Sequence, residues 1–286
     1  MKKIIVLLAF AVSFVFFWSC STLTPRYIHS PASHTPAYLK NKGDSKVSAN
    51  LAFSVEEHLN NSFLFPDNKT TSSTIGVDVN TAYAFTDWLM MTAGGYYKHE
   101  TDINNTNDIL DTWTDSKTTY ARKAFDVGIG LLIPITQTRD ILFNPIIGIN
   151  FGKTSSEMFN ISDSISDNRR FYLNGNTKEY YLSPNFNFEL SKNQKISISP
   201  RFSLLKFDNI ENSCPQQIID RLNLNALEKN HFFFSPSLFY QMGFDNIDWL
   251  KLDVGLSFST RMNNDDNFMY LKTRAFQLSS GISVYF

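Results

Sequence analysis

From Lys46 to the C-terminus the chain alternates apolar and polar residues with a period of two. In residues 250–260, Leu250, Leu252, Val254, Leu256 and Phe258 fall on one face, and Lys251, Asp253, Gly255, Ser257 and Ser259 fall on the other. Successive side chains of a strand point to opposite faces, whereas a helix repeats its apolar positions every three or four residues. The same period gives apolar faces at Val47, Leu51, Phe53 and Val55, at Ile75, Val77, Val79, Tyr83 and Phe85, at Leu89, Met91, Ala93 and Tyr97, and at Phe125, Val127, Ile129 and Leu131. It continues at Ile141, Phe143, Ile147, Ile149 and Phe151, at Tyr180, Leu182, Phe186, Phe188 and Leu190, at Ile196, Ile198, Phe202 and Leu204, and at Phe232, Phe234, Leu238 and Tyr240. With the 250–260 segment and a last one at Phe276, Leu278, Ile282, Val284 and Phe286, ten strands are predicted.

The predicted connections alternate in length. Short turns fall at residues 86–88, 136–140, 191–194 and 245–248, and long loops at 58–71, 101–118, 153–176 and 208–230, with a shorter one at 262–267. Short turns on one rim and long loops on the other are the asymmetry of a transmembrane barrel. An even strand number returns both barrel ends to the turn rim. The sequence therefore predicts an all-β, antiparallel, up-and-down transmembrane barrel with short periplasmic turns, long extracellular loops and both termini periplasmic.

Alternation alone does not say whether the apolar face meets lipid or a core, because a lipocalin-like barrel or a sandwich shows the same period. Two features decide it. Lys123, at a strand end, is the one charge on the apolar faces, as expected where a mid-membrane Lys or Arg costs roughly 2–4 kcal/mol. Tilted strands of about ten residues match the hydrocarbon thickness. Asn-Pro or Ser-Pro occurs in four strands, at Pro145, Pro184, Pro200 and Pro236. Proline removes a ladder donor, so pairing is expected to be broken or bulged there.

The N-terminus changes the picture in one respect. Met1-Lys2-Lys3, an apolar run from Ile4 to Trp18 and then Ser19-Cys20-Ser21 have the order of an export signal. The run is shorter than the roughly 20 residues a spanning helix needs. Phe17-Trp18-Ser19-Cys20 resembles a lipoprotein signal, which makes Cys20 the lipidation candidate, although Phe17 and Trp18 depart from the usual residues; the alternative is an ordinary signal cleaved after Ser21. The expected division is a signal peptide at 1–20, a periplasmic leader at 21–45 and the barrel at 46–286. Once the signal is removed Cys214 is the remaining cysteine, so no disulfide framework is expected.

Composition agrees with strands. Aromatics make up 15% of the chain, with 26 Phe, yet mean hydropathy is −0.20, as when apolar residues are dispersed singly. The net charge of −1 with scattered charges argues against nucleic acid.

Candidate chemistry is sparse. The polar faces collect Asp78, Arg122, Asp126, Glu189, Arg201, Lys251, Asp253 and Arg261, a set of four acids and four bases that can neutralise itself and close a narrow lumen. Of the histidines, His29 and His34 are expected to be solvated leader residues, and His58 and His99 to lie near the loop rim beside Glu56, Glu57, Glu100 and Asp102. No cofactor or metal motif is present. The loop at 211–230 carries Ser213-Cys214-Pro215 followed by Ile218, Ile219, Leu222 and Leu227, the start of a short helix that either lids the barrel mouth or packs its own apolar face.

The last strand, ending at Phe286, resembles the terminal strands of bacterial outer-membrane barrels, whose aromatic C-terminal residue is an assembly signal. Together with the lipoprotein-like signal, the plan resembles outer-membrane barrels of Bacteroidota. That resemblance implies location in the outer membrane, contact with its lipid, recognition by the barrel-assembly machinery, and a structural or surface-recognition role for the extracellular loops, for an unidentified ligand. Two readings stay open beside it. One is a small-solute or ligand channel; the other, a rim hydrolase, rests on the loose similarity of His99-Glu100-Thr101-Asp102 to the acidic pairs and His-Asp couple of ten-stranded omptin proteases.

Overall fold

The structure, a computed structural model, describes residues 26–31, 36–62, 65–105, 115–160, 170–214, 216, 219–220, 223–263 and 271–286. The signal, Cys20 and His34 lie outside the described residues, as do the side chains of Glu56, Glu57 and His58.

A short strand β1 (Arg26–His29) precedes the barrel. The wall is made of β2 (Ser45–Ser62), β3 (Phe65–Ala84), β4 (Leu89–Asn105), β5 (Asp115–Leu131), the short β6 (Ile133–Pro134), β7 (Ile141–Asn160) and β8 (Arg170–Ser191). It continues through β9 (Gln194–Ser199), β10 (Phe202–Asn212), β11 (His231–Phe234), β12 (Ser237–Phe244), β13 (Ile247–Phe258), β14 (Thr260–Arg261) and, after β15 (Leu271–Thr273), which pairs with β1 in a separate two-stranded sheet, β16 (Phe276–Tyr285). The pairs β9/β10, β11/β12 and β13/β14 each continue a single stave, so the closed antiparallel barrel has ten. It closes where β16 pairs with β2, from Leu278 opposite Phe53 to Tyr285 opposite Lys46. At the turn rim Ser45 and Phe286 exchange two backbone hydrogen bonds of 3.0 Å.

Every residue of the ten predicted apolar faces points outward, and none is buried. Ile75 is 66% exposed and Val55 75%. An apolar surface of this extent has to meet lipid or a partner, while the alternate positions, Asn50, Asp78, Asn150 and Asp253 among them, are buried inside. Among the described residues no helix is long and apolar enough to cross a membrane.

Three of the predicted long loops are shorter than expected, because their hairpins keep pairing past the apolar belt. β2 and β3 pair up to Ser62 opposite Phe65, β4 and β5 up to Asn105 opposite Asp115, and β7 and β8 up to Phe159 opposite Arg170. Backbone hydrogen bonds do not require an apolar face, so the ladder persists where the alternation ends.

The four prolines share one level of the wall. Pro145 lies opposite Pro184, and the registers of β8–β9 and β9–β12 carry that row on to Pro200 and Pro236. At the last two the staves are interrupted, between Ser199 and Phe202 and between Phe234 and Ser237. Side chains inside the barrel take over the lost bonds. Asn185 donates to the Asn144 carbonyl at 3.0 Å, Asn187 to Asn144 Oδ1 at 2.6 Å, Ser197 to Asn187 Oδ1 at 2.6 Å, and Ser237 to the Ser199 carbonyl at 3.1 Å.

Candidate functional site in the barrel lumen

The lumen is occupied by the chain's own leader. The leader is not a linker ahead of the barrel: residues 26–31 and 36–40 lie along its interior, with Tyr27, Ile28, Ser30, Ala37, Tyr38 and Leu39 buried, and Asn41 to Gly43 are exposed at the turn rim. The reason is electrostatic, because buried cations of the wall need acceptors and the leader's carbonyls supply them.

The contacts fix the direction in which it runs. At the loop rim β1 pairs in parallel with β15, Arg26 beside Leu271 and His29 beside Thr273, and Arg274 donates its backbone N–H to the His29 carbonyl at 2.9 Å. Deeper in, Arg122 donates to the carbonyls of Ile28, at 3.1 Å, and Tyr27. Lys98 donates to the Pro31 carbonyl and to Gln277 Oε1. Near the turn rim Lys46 donates to the Pro36 carbonyl at 2.8 Å. At the rim itself Tyr38 donates to Glu189 Oε2 at 2.8 Å and to the Arg139 carbonyl at 2.7 Å, Lys40 pairs with Glu189, and Lys42 donates its backbone N–H to Asp87 Oδ1 at 3.0 Å. Gly43, at φ 91°, makes the turn into β2 that few other residues adopt.

Around this strand the wall supplies paired charges. Glu100 accepts from Arg122 Nε and Arg274 Nε, both at 3.2 Å, and Asp102 pairs with Arg274 Nη1 at 2.5 Å. The Arg274 guanidinium lies 4.0 Å from the ring centre of Tyr27. Arg201 pairs with Glu179 at 3.3 Å and stacks 3.6 Å over Tyr181, whose hydroxyl donates to Asp126 at 3.0 Å. Gln241 donates to Asp253 at 2.6 Å and accepts from the Tyr285 hydroxyl at 2.8 Å.

Apolar clusters close both ends. At the loop end Ile28 packs with Met158, Phe171, Leu205, Phe207, Phe233 and Leu271, and a 3-10 helix at Leu224–Glu228 adds Leu224, Ala226 and Leu227. The short helix expected to start at Ser213-Cys214-Pro215 lies largely outside the described residues, and the helix that packs into the mouth is this later one. At the turn end Ala37 and Leu39 pack with Ala84, Met90, Leu132, Ile146 and Tyr181. Three cavities between leader and wall hold about 50, 20 and 10 Å³, room for a few waters.

Six of the eight expected lumen charges, Asp78, Arg122, Asp126, Arg201, Lys251 and Asp253, are buried inside. Glu189 stands at the turn rim, and Arg261 stands at the loop rim, donating to the Leu271 carbonyl at 2.7 Å. Sequence reasoning missed Lys46, Lys98, Glu179 and Arg274 and placed Glu100 and Asp102 at the loop rim rather than inside the lumen. The parity of β4 carried the signal: residues 98, 100 and 102 alternate with outward Tyr97, so they face inward. His99 is exposed and Glu100 fully buried, on opposite faces of that strand. His29 is not solvated; its ring stacks on Phe233 with centroids 4.4 Å apart.

No family model matches the chain, and no curated protein matches it. Solved structures do. The translocator domain of the autotransporter NalP from Neisseria meningitidis superposes with a TM-score of 0.50 at 11% identity, covering 89% of this chain and 90% of that one. The outer membrane protease OmpT from Escherichia coli superposes with 0.51 at 8% identity, covering 89% and 100%. The fold is that of a bacterial outer-membrane β-barrel. At these identities the likeness concerns the fold alone.

Proposed function

We propose that this outer-membrane barrel is closed by its own leader, with its loop rim outside the cell and its turn rim in the periplasm, and that it serves a structural or surface-recognition role through that loop rim. The observation that carries the reading is the leader itself: its described residues, Tyr27 to Pro31 and Pro36 to Lys42, are hydrogen-bonded to the wall in the space through which a solute would have to pass. Lipid covers the outward apolar faces, and Phe286, 77% exposed at the turn rim, is available to the assembly machinery. The test is conductance. The intact chain in a planar bilayer is expected to give no sustained open level, and stable steps would support the small-solute channel instead.

A further inference from the structure

We infer that the chain threads its own barrel, so that the segment before Arg26 is displayed on the loop side, at the rim opposite to the C-terminus. The inference rests on the orientation given under Proposed function for its statement of which side is the cell exterior, but not for the threading itself.

Depth markers along the leader carry the argument. Arg26 to His29 pair with Leu271 to Thr273 in the connection between β14 and β16. That connection belongs to the loop rim, since β13 leaves the short turn at residues 245–246 and Phe258 at its far end pairs with the start of β16 at Phe276. Pro31 meets Lys98, Pro36 meets Lys46 at the start of β2, and Ser45 bonds Phe286 at the opposite rim. The leader therefore descends the whole barrel, and its first described residue is at the far mouth. The parallel sense of the β1–β15 pairing gives the same direction, because β15 leads into β16, which runs down to Phe286.

Two physical points exclude a return to the turn rim. Among the described residues the lumen around the descending leader is filled by buried wall side chains, Lys98, Arg122, Tyr181, Arg201, Phe239 and Gln241 among them, and the cavities beside the leader, about 50 Å³ or less, are too small for a second extended segment. Around the outside, the six residues from Cys20 to Arg26 reach at most roughly 20 Å when fully extended, against a hydrocarbon core of about 30 Å. An acyl group on Cys20 would then enter the leaflet at the loop rim, not the periplasmic leaflet that two periplasmic termini imply.

Thiol labelling of intact cells with a membrane-impermeant maleimide tests this on the full chain. In a Cys214→Ser parent, checked for background reaction, Thr24→Cys reports the segment, Met262→Cys the loop rim and Asn246→Cys the turn rim. Heat-modifiable migration confirms that each variant is folded. The expected result is that Thr24→Cys and Met262→Cys react on intact cells, while Asn246→Cys reacts only after the outer membrane is permeabilised. If Thr24→Cys follows Asn246→Cys, or reacts only on unfolding, the threading is overturned while the orientation stands. If Asn246→Cys reacts on intact cells and Met262→Cys does not, the orientation fails, and threading survives only if Thr24→Cys still follows Met262→Cys.

Discussion

Arg122 concentrates the physical logic of the lumen in one side chain. It is 3% exposed, shares Glu100 with Arg274 and spends its remaining donors on the leader's carbonyls. Removing one partner of a buried ion pair leaves charge without compensation, at a cost of roughly 3–5 kcal/mol. Arg122→Met is therefore expected to lower the temperature at which the compact form converts to the slower-migrating unfolded one, whereas Arg122→Lys, which keeps the charge, loses less. Equal melting of Arg122→Met and the parent would remove the network from the account. Tyr38 makes a second, pH-dependent clamp at the turn rim. Burial, and then its hydrogen bond to Glu189, raise its hydroxyl pKa above the ordinary value of 10.0. A raised folded-state pKa means that the stabilisation is complete below the ordinary tyrosine range and is lost as pH climbs through and beyond it. The expected outcome is that proteolytic access to the leader rises above about pH 10 in the parent, and that Tyr38→Phe, already looser, lacks this alkaline component.

At the scale of elements, ten strands were legible because an apolar outer face and a polar inner face impose strict alternation on each of them. The hairpin tips were not legible, since beyond the apolar belt the outward positions, such as Thr101, Lys117, Ser155 and Glu157, are polar as well and the ladder leaves no alternation of hydropathy. The leader was illegible for a related reason: its recognition runs through main-chain carbonyls, which are the same whatever the sequence. The inward charges of β4 could have been read from its parity: Lys98, Glu100 and Asp102 alternate with outward Tyr97 and His99, and they were missed because the apolar face ends at Tyr97 and the residues after it were assigned to the rim. The seam between β16 and β2 offers a test at this scale. A methyl added at Gly281 would run into the Ala49 carbonyl and the Asn50 side chain, so Gly281→Ala should cost roughly 1–3 kcal/mol and weaken closure. Unchanged thermal conversion in that variant would show that the seam tolerates a wider spacing.

At the scale of the molecule, about eight staves enclose a space that side chains alone can fill, and porins of roughly 16–18 staves leave an open aqueous channel. Ten staves fall between these limits and leave a core wide enough for one extended chain dressed in hydrogen bonds, which is the arrangement seen. The absence of conductance expected of the intact chain is thus a property of barrel circumference and leader together, and neither part alone predicts it. The seam adds an ordering in time. Its two staves are the first and last of the barrel, with Phe53 waiting for Leu278, so the ring cannot be completed until the final residues have been made. A rope that already lies in its groove when a hoop is clasped needs no pulling through, and the late clasp between the chain's two ends lets the leader be laid down before it is enclosed.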